Sequence, residues 1–496
     1  MKNQYASIFK ILPDYNLFLL FLSLFPFTTK AQEFSSEIEL LGVDTQYAYF
    51  QYHSEKTAQH FKELLDSAQI KRTVLFHFGA SHVQSEVFTT EARTFLSKEF
   101  GYSGYGFLFP FSAANTYSSV NYKTEHTGNW SFAKCYQIPP QIPLGARGIT
   151  IETTDTSAGF SLLFKEPIAA DDFELIVFFE NNEFTPDFEV KSGGSVFVVN
   201  DSVRANWEGK NYVILEMSQS FENLHLNILP CKKQNQLFRF YGFSLERKEK
   251  TGFLYQSLGV GASPFEAVLH LEKLKEQASV LNPDIVMLDY GTNNILYKNS
   301  VPIKIYQSVA EAVALFREIN PKIIIILTST QDLFHKGRFI KAAVEFAQVM
   351  DSLAKLHNCM YWNFYDLSGG FAQIKNWQSK GYAQNDHIHL TQSGYRLKGY
   401  LLYKSFINTY QHINKNLGDY SFAIPVKNYD DLIEKHLKAN QGKNSVVSTS
   451  TGRYVIKPGD TLSRISQKFG VSVDKIKRLN NLSSDLIIIG RVLKIK

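Results

Sequence analysis

Four short blocks of this chain hold residue types that can carry out acyl-transfer chemistry, and their order matters as much as their composition. Ser81 stands in Gly79-Ala80-Ser81-His82-Val83-Gln84, directly after an apolar run, where a hydroxyl projecting from a strand end can act as a nucleophile. Asp386-His387-Ile388-His389 sets a carboxylate three residues from an imidazole. One turn of chain can hold those two together, fixing the imidazole tautomer and stabilising the imidazolium formed when His389 takes a proton. Taken alone, Asp386 could equally cap a helix and leave His389 on the surface. His387 and His82 are the competing bases, and His82 should point away from its neighbour Ser81. Gly291-Thr292-Asn293-Asn294 offers the Asn293 amide, and Gly259-Val260-Gly261-Ala262 offers a glycine N–H. Both are donors of the kind that hold a tetrahedral oxyanion. Each block by itself is compatible with a plain turn.

These residues need strand ends to present them. Residues 72–79, 283–291 and 322–327 are apolar runs, and the first two end in Gly; such runs fit strands buried on both faces of a parallel sheet. Apolar spacing of three and four over 265–277, 305–319 and 338–357 predicts helices, and the alternation predicts an α/β sheet with crossover helices. From about Asn129 to Glu246 the pattern shifts to short alternating runs, 174–179, 187–191, 212–216 and 238–241, separated by turn residues such as Gly193-Gly194 and Asn200-Asp201. That change predicts an antiparallel sandwich inserted into the α/β domain.

Asn440 to Gly452 are small and polar and predict a flexible linker. After it, residues 453–496 read as a strand, a turn at Pro458-Gly459, a helix capped by Asp460 or Thr461, a second helix and a closing strand. The expected organisation is therefore 1–31, a leader; 32–128 and 247–425, the α/β domain; 129–246, the sandwich; 426–452, helix and linker; and 453–496, a small βααβ module.

The order Ser, Gly, Gly-Thr-Asn and Asp-x-x-His along an α/β chain resembles the SGNH (GDSL-like) hydrolase family over residues 70–125 and 250–410. The resemblance implies a three-layer α/β/α fold and ester hydrolysis without a metal or organic cofactor. Carried over by position, it implies Ser81 as nucleophile, His389 as base, Asp386 as its orienting acid, and Asn293 with the Gly261 and Ser81 N–H groups as the oxyanion hole. Gly259 is the alternative to Gly261. The family usually has Asp between the Gly and the Ser, and here that residue is Ala80, which should weaken the positioning of the nucleophile loop. Gly104-Tyr-Gly-Phe107, the inserted sandwich, and Trp362 with Gly369-Gly370 resemble the branch that contains peptidoglycan O-acetylesterases, where the insertion resembles a carbohydrate-binding module. Trp207 and Tyr212 could stack on sugars there or belong to its core. The tail from Tyr454-Val-Ile-Lys-Pro-Gly-Asp-Thr-Leu462 onward resembles a LysM module. That implies binding of N-acetylglucosamine-containing glycans through Gly459, Asp460, Thr461 and Leu462 and through Leu486, Ile487 and Ile488.

Composition agrees with this division. The chain has 496 residues, enough for several domains at roughly 100–200 residues each, and 44% hydrophobic against 20% charged residues excludes a disordered chain. The net charge is +5, yet Arg453–Lys496 alone holds ten basic and three acidic residues, so the basicity belongs to the tail and suggests an acidic polymer as partner. Lys2 and Lys10 ahead of the apolar run 16–27, followed by Thr29-Lys-Ala31, predict a signal peptide cut after Ala31, hence a periplasmic or secreted protein without a membrane span in its mature form. Secretion, with no aromatic stacking positions in the tail, points to wall glycan rather than nucleic acid. Of three cysteines, Cys135 and Cys231 could pair or all three, with Cys359, could be buried thiols. Together these readings predict a secreted serine esterase that removes O-acetyl groups from peptidoglycan or a related polysaccharide. The alternatives are a general lipase or esterase and a non-catalytic wall-binding protein.

Overall fold

The computed structural model describes residues 34–169, 172–230, 235–419, 421–441, 452–456, 460–482, 484–485, 487 and 491–495. In chain order, β1 (Phe50–Gln51) and β2 (Thr73–Gly79) come first. They are followed by β3 (Gly104–Leu108), β4 (Tyr122–Thr127), β5 (Ser131–Lys134), β6 (Ile149–Thr153), β7 (Gly159–Ile168), β8 (Phe173–Phe179), β9 (Phe188–Ser192), β10 (Ser195–Val199), β11 (Tyr212–Met217), β12 (Phe221–Ile228) and β13 (Phe238–Arg247). Then come β14 (Phe253–Gly259), β15 (Ile285–Asp289), β16 (Ile324–Thr328), β17 (Phe334–His335), β18 (Arg338–Phe339) and β19 (Met360–Trp362), with β20 (Arg453–Val455) and β21 (Val492–Lys494) in the tail.

One sheet has the order β1-β19-β16-β15-β2-β14, parallel except for β1. Because successive side chains of a strand face opposite ways, each strand feeds two cores. Val74, Phe76 and Phe78 of β2, Val286 and Leu288 of β15, and Ile325 and Leu327 of β16 share one core with helices Leu274–Leu281, Lys304–Ile319 and Ala342–Leu356. Leu75, Ile285, Met287, Ile324 and Ile326 join the other, with helices Glu55–Ser67, Val87–Phe100 and Gln392–Lys415. This is the three-layer α/β/α arrangement expected. The run 265–277 divides into a 3-10 turn, Phe265–His270, and the following helix, because Leu271 leaves helical geometry (φ −89°, ψ 81°). The helix expected from 338 starts at Ala342; a hairpin of β17 and β18 precedes it, turning on Lys336 and Gly337, both at positive φ.

The sandwich consists of β10-β9-β12-β7-β4 packed against β11-β8-β13-β6-β5. It draws on chain ahead of residue 129: β4 pairs with β7, and β3 pairs with β13. Gly242 permits that second pairing, since a Cβ there would lie 2.2 Å from the Phe107 ring. Trp207 and Tyr212 pack on each other at 5.3 Å and against the sandwich core, with Lys210 over both rings, so they stand as packing groups. Cys135 is a buried free thiol, its Sγ 3.1 Å from Ser263 Oγ; Cys359 is also buried and free, and Cys231 lies outside the described residues.

In the tail β20 pairs antiparallel with β21 around a core of Tyr454, Ile456, Leu462, Ile465, Ile476, Leu493 and Ile495. Thr461 caps helix Leu462–Phe469, while Asp460 accepts the Tyr454 hydroxyl at 2.7 Å. Leu462 is thus a core residue and Ile487 packs against that core, whereas Thr461 is exposed. Gly459, Leu486 and Ile488, the leader and residues 442–451 of the expected linker lie outside the described residues. Among the described residues no helix is long and apolar enough to cross a membrane.

Candidate active site

Three of the four sequence blocks follow the carboxyl ends of the adjacent strands β14, β2 and β15, the place where open α/β sheets leave a crevice, and the fourth reaches them through His389. β2 ends at Gly79, Ala80 turns the chain (φ −97°, ψ −142°), and Ser81 opens a one-turn helix, Ser81–Gln84. Two glycines let that turn lie flat across the strand ends. A Cβ on Gly79 would meet Val83 Cγ2 at 2.3 Å, and one on Gly259 would meet the Gln84 nitrogen at 2.4 Å. As the first helical residue, Ser81 keeps its N–H outside the intrahelical ladder.

The Asp386 turn supplies the imidazole. Asp386 Oδ1 accepts the N–H groups of Ile388 and His389, both at 2.9 Å, and its Oδ2 lies 2.7 Å from His389 Nδ1. His389 Nε2 then lies 3.0 Å from Ser81 Oγ. With Nδ1–H donating to a carboxylate, Nε2 is left as the acceptor facing the serine hydroxyl. Burial pushes the Asp386 carboxyl upward, but the hydrogen bonds from His389 and Ile388 outweigh it and leave it below the usual carboxylate range. Asp386 does not cap the next helix; Thr391 does, accepting the Gly394 N–H at 3.3 Å. His387, at φ 54°, turns away and its carbonyl accepts the Phe334 N–H.

His82 is buried with its Nδ1 2.8 Å from the Tyr395 hydroxyl, and its ring lies 5.4 Å from that of His389. Burial first, then the neighbouring charges of Lys398 and His389, push it down to about 3, so it is neutral near pH 7. It sits beneath His389 rather than against Ser81 Oγ.

Two of the three expected oxyanion donors, Asn293 and the Gly261 N–H, donate to protein acceptors. Asn293, on the short helix Thr292–Ile295, donates through Nδ2 to the Ser263 carbonyl at 3.0 Å, leaving its second amide hydrogen. The Gly261 N–H donates to Gln84 Oε1 at 2.5 Å. Gly259 lies within β14, against the nucleophile turn. Gln84 was hidden in the sequence as filler of the Ser81 block. Its Nε2 donates to Thr116 Oγ1 at 3.0 Å and to the Tyr117 carbonyl at 3.1 Å, while the Tyr117 hydroxyl donates to the Ser81 carbonyl at 3.4 Å.

Beneath the nucleophile turn lies a second group that sequence reading missed. Asp289, in register with Gly79, accepts Lys398 Nζ at 3.0 Å and Thr328 Oγ1 at 3.1 Å, with His77 Nε2 at 3.6 Å. Burial opposes its ionisation, but the Lys398 charge and His77 outweigh that and hold it well below the usual carboxylate range. Its only sequence signal is an acid at the end of an apolar strand. No group of three or more metal-ligating side chains occurs among the described residues.

Residues 244–397 match the GDSL-like lipase/acylhydrolase family, a stretch holding Gly261, Asn293, Asp386 and His389, and residues 454–496 match the LysM domain. The chain carries a GDSL-like acylhydrolase domain and a LysM domain. A solved structure titled as a peptidoglycan O-acetylesterase in action has a similar fold, with TM-score 0.59 and 18% identity over 73% of this chain and 99% of that one. Among curated relatives, the cell wall-binding protein YocH of Bacillus subtilis (strain 168) is 55% identical over 53 residues, 11% of this chain and 18% of the relative. The probable peptidoglycan endopeptidase LytE of the same strain is 49% identical over 43 residues, 9% of this chain and 13% of the relative. The likeness to these two thus covers only a small part of each.

Proposed function

We propose that the protein is a secreted serine esterase that removes acetyl groups from the hydroxyls of peptidoglycan or a related polysaccharide. The observation that carries the reading is the unbroken chain of hydrogen bonds Ser81–His389–Asp386. Ser81 Oγ attacks the ester carbonyl as His389 Nε2 takes its proton, and the tetrahedral oxyanion is held by the Ser81 and Gly261 N–H groups and the Asn293 amide. His389 returns the proton to the leaving sugar hydroxyl, leaving an acetyl-serine. Water, deprotonated by His389, then releases acetate and restores Ser81. Asp386 stays ionised throughout and stabilises the imidazolium.

The LysM domain supports a wall glycan as the polymer, since a tethered catalytic domain works at a raised effective concentration of substrate. The leader at 1–31 supports the periplasm or the outside of the cell as the place of action. Acetate released from O-acetylated peptidoglycan by the mature protein, with Ser81→Ala alongside, tests the reading. Release that drops roughly a million-fold in the variant is expected. No release from either protein, with glycan pull-down intact, would leave a wall-binding protein on a hydrolase scaffold; release only from small soluble esters would leave a general esterase.

A further inference from the structure

A groove of about 430 Å³ opens between the loops that follow the adjacent parallel strands β15 and β16. One wall, Leu296 to Asn299, continues the short helix that carries Asn293. The opposite wall is the β17–β18 hairpin, tied to the Asp386 turn where the Phe334 N–H meets the His387 carbonyl at 3.3 Å. Helix Asp430–Gln441, the last element before the LysM segment, closes the third side with Ile433 and Leu437. The first wall thus follows Asn293 by three residues along the chain, and the second is hydrogen-bonded to the turn that carries Asp386 and His389.

The chemistry of the groove is specific. Tyr297 is 75% exposed and meets His335 edge-to-face at 5.1 Å, a contact that occupies at most one face of its ring and leaves an aromatic platform open. Lys298 and Arg338 line the groove with it, and among the described residues no acidic side chain does. An open aromatic face suits the apolar face of a sugar ring, and a guanidinium suits a carboxylate.

We propose that this groove is a subsite for the sugars next to the acylated one on a carboxylate-bearing glycan strand, with Tyr297 stacking on a ring and Lys298 and Arg338 taking its carboxylates. The inference rests on the esterase reading above and goes beyond it by assigning where the polymer runs. The full-length protein, Tyr297→Ala and Arg338→Gln are compared on 4-nitrophenyl acetate and on soluble O-acetylated peptidoglycan fragments. Expected is a rise in KM for the fragments of about ten-fold in each variant, with kcat and small-ester turnover unchanged. Blocking the fragment carboxylates as amides should abolish the effect of Arg338→Gln. Unchanged fragment KM in both variants, with small-ester activity intact, would overturn the subsite. If Tyr297→Ala loses small-ester activity through misfolding, Arg338→Gln, an exposed change, decides by the same criterion. Inactivity of the unmodified protein on both esters would instead overturn the esterase reading, and the subsite with it.

Discussion

Gln84 Oε1 accepts the Gly261 N–H at 2.5 Å, while Gln84 Nε2 holds Thr116 and Tyr117. One hydrogen cannot serve two oxygens equally, so in the proposed reaction an ester oxyanion takes the Gly261 N–H from Gln84. The exchange is favourable for an amide, because a charged acceptor binds an N–H more strongly than a neutral one.

Gln84→Glu should reverse that preference. The carboxylate would hold the Gly261 N–H by a charge-assisted bond and repel the developing oxyanion. We expect kcat on a soluble ester to fall by about 10²-fold, the scale of losing one oxyanion donor, with KM little changed. The deficit relative to the unmodified protein should shrink as pH falls and the new carboxyl protonates. Equal kcat values at pH 7 would show that the Gly261 N–H takes no part in turnover.

The two glycines of the 259–262 turn should respond differently. Gly259→Ala drives a Cβ to 2.4 Å from the Gln84 nitrogen and 2.6 Å from the Val83 carbonyl carbon, atoms of the nucleophile turn itself. It should cost about 1–3 kcal/mol in urea unfolding and remove most turnover. Gly261→Ala meets only the Tyr117 hydroxyl at 3.1 Å and Gln84 Oε1 at 3.2 Å, which are the far ends of side chains. Its stability should stay within about 1 kcal/mol of the parent.

His82 predicts an acid-side loss of stability. Its folded value of about 3 lies below the ordinary 6.5, so between these limits the unfolded chain binds a proton that the folded one refuses. Stability therefore rises with pH across this window and is lost as pH falls through it, with a slope of about 1.4 kcal/mol per pH unit for one such proton. His82→Gln should flatten the profile between pH 6.5 and pH 4 by up to that slope; parallel profiles from urea titrations would contradict it.

Asp386→Asn keeps the shape of the turn but removes the charge that orients His389. Turnover should fall by about 10⁴-fold. Adding Ser81→Ala to it should cost little beyond Ser81→Ala alone, because groups acting as a unit are not additive; additive losses would mean that the two side chains act separately.

Much of this architecture was legible because burial on both faces of a parallel sheet leaves continuous apolar runs, and 72–79 and 283–291 each contain a strand of that sheet while 322–327 covers all of its strand but Thr328. The place of Ser81, Asn293, Asp386 and His389 followed from their order. What stayed hidden depends on contacts across long sequence distances. Nothing local marks Gln84 as a partner of Gly261, or Lys398, inside an amphipathic helix, as the counter-ion of Asp289. The strands β3 and β4 were assigned by sequence to the α/β segment because they fall between its blocks, and only pairing with β13 and β7 draws them into the sandwich.

Ser81 and His389 are 308 residues apart along the chain. At a synthesis rate of 5–20 residues per second Ser81 precedes His389 by roughly 15–60 s. Throughout that interval the growing polypeptide holds a serine with nothing to activate it. With Ser81, His389 and Asp386 in the roles proposed above, hydrolytic capacity does not build up gradually in the nascent chain; it arises in one step, when the Asp386 turn docks, and a product truncated before that turn is expected to be inert.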